Sequence, residues 1–369
     1  MIGYFFILLL VVFFGLNADQ INRSKQSKKR YIFFMFGMMA LFAVLRSYDV
    51  AIDYSNRVNQ MYQLFKMGLA ELLEYTERVQ DGEYLYTLFI WGVSRVFPVP
   101  WLINGIMDIF VLSTFGWFIG KYSKDVTFST LMYLAFVFAA SLNITRQYVA
   151  TAFFLIALHL LLQKKPIKAL IPMVIAVLFH VSAILLFAVY ALYFIGFKIN
   201  RTKLVLMLIL TFGLFFTFDL LFDLFLHYFP QYSYALGKWA VGDQSFSFLW
   251  LAIYTVMFVC LFIAVPSFRK EKNNITVEVS GLVSISFMLY ALINLLQSEL
   301  WFVSRLNAYF IFGYCMVIPE IIDGFKLQPQ TRLLVNMILK TGIALWAVSM
   351  FLQNTHEILP YQFIWDTLH

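Results

Sequence analysis

Two short polar marks on an otherwise apolar hairpin are where this chain can be expected to do chemistry. Asn143-Ile-Thr-Arg146-Gln147 heads one hydrophobic run, and Phe179-His180-Val-Ser182 ends the next. Lys164-Lys165-Pro166 closes the turn between them, so Arg146 and His180 share the open end of the hairpin. An arginine at a membrane edge is costly and by default marks a functional site. Its planar fork of donors fits phosphate oxygens, and it does not give up its charge.

The elements that must position these residues follow from composition. Of 369 residues, 62% are hydrophobic and 13% charged. A soluble domain is about half apolar and about a quarter charged, so this chain belongs in a bilayer. Apolar runs long enough to cross ~30 Å of hydrocarbon recur from end to end. The expectation is an all-α polytopic protein, a single integral membrane domain over 1–369. About twelve transmembrane helices are expected, near 2–16, 31–47, 101–119, 127–142, 147–163, 169–180, 181–197, 204–220, 248–266, 280–297, 305–321 and 334–352. Residues 1–16 lack a basic n-region and a small-residue cleavage site, so they read as a retained helix.

Most Lys and Arg residues gather in short loops between the runs, the positive-inside pattern. The net charge of +7 is explained by that pattern, and nucleic-acid binding is not expected. Both termini then lie outside. Tyr84 to Phe97, closed by Pro98-Val-Pro100, is read as a re-entrant or in-plane helix, because a crossing there would turn every later basic loop outward. The outer segment 48–83 is acidic, and Met61, Phe65, Leu69 and Leu72 fall on one helical face, predicting an amphipathic helix on the membrane surface. A second outer segment, 221–247, is rich in aromatics. Cys260 and Cys315 sit inside apolar runs as core filler, and no metal cluster can be built from them.

This topology brings Arg46, Asp49, Asp53, Glu83, Arg146, His180, Glu299 and Arg305 to the outer face. Several arginines and a histidine beside an apolar groove suit a lipid-linked diphosphate, and a nearby carboxylate can accept a proton from an incoming hydroxyl. These are the parts for glycosyl transfer from a polyprenyl-diphosphate sugar. Arginine charge can stabilise the departing diphosphate, so no metal and no cofactor are expected. A flippase or other transporter would instead need charge at mid-membrane. A glycan ligase would use the same donor.

Asn143-x-x-Arg146-Gln147-x-x-Ala150, the lysine turn and Phe179-His180-x-Ser182 resemble the signature hairpin of the EpsG family, Wzy-like polymerases of bacterial exopolysaccharide and capsule repeat units. Arg46-Ser47-Tyr48-Asp49 with Asp53-Tyr54, then Asp81-Gly82-Glu83-Tyr84, resembles the family's early acidic block, and Ser304-Arg305-x-x-x-Tyr309-Phe310 its late arginine helix. The resemblance runs over most of the chain, in order. It implies a fold related to the C-type glycosyltransferases and the joining of undecaprenyl-diphosphate-linked oligosaccharides at the outer face of the bacterial plasma (inner) membrane. A chain-length regulator is the implied protein partner. Arg46, Arg146, Gln147, His180 and Arg305 are the expected diphosphate ligands. Asp49, Asp53 and Glu83 compete for the catalytic base, and Asn143, Glu299 and Tyr309 are expected to contact substrate.

Overall fold

A computed structural model of the chain describes residues 2–80, 82–194, 200–228, 248–268, 285–286, 291, 306–354, 356 and 358–367. Among them the secondary structure is helical, with one isolated antiparallel bridge between Arg46 and Phe363. Among the described residues four helices are long and apolar enough to cross a membrane: Pro100–Tyr122, Val126–Asn143, Thr145–Leu162 and Pro329–Gln353. The chain forms two compact units, Met1–Ala191 with Pro329–His369, and Leu192–Gln328.

The first unit begins with α1 (Ile2–Gly15), a short helix Ala18–Asn22, and α2 (Lys25–Val44). After α2 come α3 (Ile52–Lys66), α4 (Leu69–Val79), α5 (Tyr84–Val96) and α6 (Pro100–Tyr122). Proline at the first position of α6 presets the helical φ where no N–H is needed. Next are α7 (Val126–Asn143), α8 (Thr145–Leu162) and α9 (Pro166–Phe179). Helix α10 (Val181–Phe194) opens as a 3-10 turn, and α15 (Pro329–Gln353) returns to this unit. Helices α8 and α9 make the expected hairpin, turned by Lys164 at φ 60°.

Close helix contact organises the centre. Gly116 of α6 faces α2 so tightly that an added Cβ would lie 2.9 Å from Phe36 Cγ and 3.2 Å from Ile32 Cγ2. Small residues let backbones approach in this way where no hydrophobic drive separates protein from lipid. Helix α7 carries a π segment at Leu134–Phe138, and such bulges concentrate at functional sites. Its last residue, Asn143, is followed by Ile144 at φ −88° and ψ 50°, which breaks the helix before α8 starts at Thr145. The spans of α6, α7 and α8 are 67%, 83% and 72% buried, whereas that of α15 is 6% buried. Helix α15 therefore lies on the periphery of its unit.

The second unit contains α11 (Arg201–Phe216), α12 (Phe218–Tyr228), α13 (Phe248–Phe268) and α14 (Phe312–Gly324). Helix α13 packs on α11 and α14. Most of the helix expected near 280–297 and most of the aromatic segment expected over 221–247 lie outside the described residues, and 221–228 of that segment belongs to α12. The helix expected from 305 is instead a 3-10 turn, Asn307–Tyr309, followed by α14.

The single surface helix expected between 48 and 83 is two helices, α3 and α4. Met67 and Gly68 are extended, at ψ 142° and 166°. The Met67 carbonyl accepts Trp91 Nε1 at 3.0 Å and Arg95 Nη2 at 2.7 Å, which holds the break open. Glycine makes the break cheap. Met61 and Leu72 are consequently buried, while Phe65 and Leu69, expected on the same face, are exposed. The stretch after Glu83 forms the short helix α5, about 20 Å long at 1.5 Å per residue. Substituting Gly116 by leucine is expected to push α2 away from α6 and cost about 1–3 kcal/mol, read as a lower thermal midpoint of the detergent-solubilised protein.

Candidate active site

Glu83 is the centre of the arrangement. It follows Gly82, whose φ of +79° places it in the left-handed region that glycine tolerates. It heads α5, with its backbone carbonyl accepting Thr87 N–H at 3.0 Å. Its carboxylate is nearly enclosed, at 5% exposure, and each oxygen has a partner. Oε2 accepts Arg146 Nη1 at 2.7 Å, and Oε1 is bonded to His180 Nδ1. Burial works to raise the Glu83 carboxyl. The His180 hydrogen bond and the Arg146 charge outweigh it and hold the group below the usual carboxylate range.

Arg146 lies in the first turn of α8 and is one-third exposed, at 34%. Nη1 also reaches Gln80 Oε1 at 3.2 Å, and the guanidinium carbon stands 4.8 Å from the centre of the Tyr86 ring. Tyr86 is fixed in turn by its hydroxyl, donated to Gln60 Oε1 at 2.9 Å. The other edge of the fork, Nη2 and Nε, has no protein partner among the described residues. His180 caps the C-terminus of α9 in an extended conformation, φ −156° and ψ 114°, which turns its ring toward Glu83. With Nδ1 committed to the carboxylate, Nε2 is left without a partner among the described residues, and the side chain is 24% exposed. Three residues from separate parts of the sequence thus meet. The unused edge of Arg146 can donate hydrogen bonds to an anion, and the unused nitrogen of His180 can do so when the imidazole is protonated.

A second charged layer lies beside this one. Arg46 is fully enclosed and paired with Asp108, which is also buried. Its Nη1 donates to the Ala43 carbonyl at 2.6 Å and its Nη2 to the Leu142 carbonyl at 3.2 Å. No part of Arg46 is exposed to a ligand in this arrangement. The C-terminal tail straps this point: Ser47 N–H donates to Gln362 O at 2.8 Å and Ile364 N–H to Leu45 O at 2.8 Å. Arg57 of α3 is buried, with hydrogen bonds to Asn104, Asn143 and Thr145.

The remaining expected residues are placed as follows. Asp53 is half-buried at the start of α3, its backbone N–H donating to Asn143 Oδ1 at 3.2 Å. Its carboxylate has no hydrogen-bond partner among the described residues, yet its charge acts on Arg57, Tyr86 and Arg146. Asp49 is exposed, and its N–H donates to Ser47 Oγ at 3.2 Å. Gln147 is buried at 3% exposure, its carbonyl accepting the Thr151 hydroxyl. Tyr309 is fully buried in the second unit, edge-on to Phe310. Glu299 and Arg305 lie outside the described residues.

Sequence reasoning missed Asp108, Arg57, Asn104, Gln80 and Tyr86. Asp108 and Asn104 were legible as polar residues four apart on one face of an apolar helix, a costly placement that asks for partners. An apolar groove of about 620 Å³ opens beside the second layer, lined by Val44, Tyr48, Tyr54, Val58, Tyr62 and Trp101 among others. Glu83, Arg146 and His180 do not line it. Tyr54 joins the two regions, since its ring also receives Arg46 at 4.9 Å and Arg57 at 5.8 Å.

The EpsG family model matches residues 29–363. The chain belongs to the EpsG family. That membership points to an exopolysaccharide-related polymerase of glycosyltransferase type, in a membrane. No curated protein and no solved structure gives a significant match. Arg146 on α8 and His180 on α9, both within the matched range, are the residues that close on Glu83.

Because the folded value of Glu83 is depressed, its contribution to stability is full above the ordinary carboxylate range, near ~4.3. It is lost as pH falls through the lower folded value. Glu83→Gln is expected to cost about 1.5–3 kcal/mol at neutral pH, toward the lower end because Arg146 is partly screened by solvent. Thermal midpoints of variant and parent should then converge as the pH is lowered through and below the ordinary carboxylate value of about 4.3.

Proposed function

We propose that this EpsG-family protein is a polysaccharide polymerase that joins undecaprenyl-diphosphate-linked oligosaccharide repeat units at the outer face of the bacterial plasma membrane. The observation that carries the reading is the convergence of Arg146 and His180 on one enclosed carboxylate, with both side chains partly exposed and Nη2, Nε and Nε2 unengaged among the described residues. Glu83 serves as the anchor. Arg146 Nη2 and Nε, with His180 Nε2, bind the diphosphate and stabilise the charge it gains on leaving. Gln147 and Arg305 are kept as further diphosphate ligands. Asn143 and Glu299 are kept as substrate contacts, whereas Tyr309, fully buried in the second unit, is not.

Of the three candidate acids, Asp53 is assigned as the base. Both oxygens of Glu83 are occupied, so it has little capacity to accept a further proton. Asp49 is exposed and is not among the main charges acting on Arg57 or Arg146. The carboxylate of Asp53 is half-buried, unengaged, and electrostatically coupled to Arg146. Arg46, enclosed against Asp108, is assigned to holding the frame. The groove beside Tyr54 is of a size and polarity that suit an isoprenoid tail.

The reading places this end of the bundle outside. Lys121, Lys164, Lys165 and Lys168 sit at the other end, as the positive-inside pattern asks. It also carries about twelve crossings in one membrane domain, a C-type-like architecture, α5 as an in-plane or re-entrant helix, and a chain-length regulator as protein partner.

The test uses purified protein in vesicles with a lipid-linked repeat unit. Arg146→Lys keeps the charge but loses the fork. It is expected to lower chain elongation by about 100-fold or more, with single repeats accumulating on the outer leaflet. Normal polymer from that variant removes Arg146 from the mechanism, and repeats retained inside would favour a flippase. Asp53→Asn is expected to lower turnover by about 100-fold with little change in donor KM. An unchanged rate would return the base role to Asp49.

A further inference from the structure

A guanidinium taken out of water is ordinarily matched by a carboxylate. Arg46 obeys this, with Asp108. Arg57 does not. It is 5% exposed, and its three hydrogen-bond acceptors are neutral: Asn104 Oδ1 at 2.8 Å, the Asn143 carbonyl at 3.1 Å and Thr145 Oγ1 at 3.1 Å. Among the described residues no acid stands within ion-pairing distance of it. Burial pulls its proton affinity below the usual arginine range, and the neighbouring Arg46 adds to that. A charge kept at such a cost is weak support for stability by itself, so its partners decide what it does.

Those partners come from three helices. Asn104 is on α6, Asn143 ends α7 and Thr145 begins α8. Asn143 and Thr145 flank Ile144, the residue at which the helix breaks. Arg146 is the next residue along α8. Asn143 is also the acceptor for the backbone N–H of Asp53, at 3.2 Å, and Asp53 lies one turn before Arg57 on α3. One guanidinium therefore ties the start of α8, which carries Arg146, to the start of α3, which carries Asp53.

We propose that Arg57 is a positioning residue whose three-pronged grip on Asn104, Asn143 and Thr145 fixes the helix break and so sets Arg146 against Asp53. The role rests on the polymerase reading above. It depends on the planar fork and not on charge alone, because a lysine ammonium cannot serve three acceptors on three helices in this geometry.

Arg57→Lys in the full-length protein in vesicles tests this. Turnover is expected to fall about 30- to 100-fold, as misplacement of about 1 Å can cost that much, while KM for the lipid-linked donor stays within about threefold. Hydrogen exchange of the backbone amides at 53–56 and 146–149 should quicken about tenfold, about 1.4 kcal/mol of local opening, with the middle of α6 unchanged. Adding Thr145→Val to Arg57→Lys should bring little further loss, because both act on one grip.

Parent-like turnover in Arg57→Lys overturns the proposal. So does a rise in KM alone, which would mean direct contact with the donor. Slowed turnover with unchanged exchange overturns it too, and losses that multiply in the double variant do the same. If Arg57→Lys does not fold, Thr145→Val and Asn104→Ala each remove one prong and are read in the same way. If the parent elongates no lipid-linked repeat, the functional reading fails, and the exchange result alone decides whether Arg57 holds the break.

Discussion

Enclosing a carboxylate favours its protonated form, and Glu83 stays charged because Arg146 and His180 each take one of its oxygens. The dependence runs both ways. Without the carboxylate, Arg146 would lose its only ion-pair partner among the described residues, and His180 would lose the bond that fixes its ring. Gly82, the start of α5, the first turn of α8 and the end of α9 must all be in place for the three groups to meet. The hairpin of α8 and α9 is thus more than a pair of packed helices. It is the frame that closes an arginine and a histidine onto one anion supplied by a distant loop.

Behind that cluster the structure spends further buried charge. Arg46 and Asp108 neutralise each other beside the Leu142 carbonyl, close to the helix break, and the C-terminal tail clamps the backbone of Arg46's neighbours. A paired buried charge adds little net stability, but removing one partner is severe. Such pairs therefore favour one arrangement over its alternatives more than they strengthen the fold. Tyr54 lies under both Arg46 and Arg57, so an aromatic face spreads the positive field between them.

Much of this was legible in the sequence. Apolar length and charge spacing located α6, α7, α8 and α15 to within a few residues, because a run long enough for a bilayer has few other ways to satisfy its backbone. The hairpin and its two polar marks were legible for the same reason. The pairing of Glu83 with them was narrowed only to one membrane face, since depth can be read from topology but side-chain contact cannot. Arg46 shows the limit of that method. Its position at a helix end suggested a ligand, and only the fold reveals Asp108, sixty-two residues away, enclosing it. The break at Met67-Gly68 was hidden too, because the groups that stabilise it, Trp91 and Arg95, belong to another helix.

The charges at this site also sit at helix ends, and the signs are informative. Glu83 stands at the N-terminus of α5 and His180 at the C-terminus of α9, each where the helix dipole favours the charge it carries or can acquire. Arg146 is the exception, a cation in the first turn of α8, where the dipole is already positive. Stability alone would select against that choice. Glu83 offsets part of the cost through one nitrogen, but Nη2 and Nε remain unengaged among the described residues, at a helix terminus that is itself positive. An anionic group at that point would meet both at once. This supports the diphosphate reading, since the unfavourable placement of Arg146 becomes favourable when a multiply charged phosphate is present.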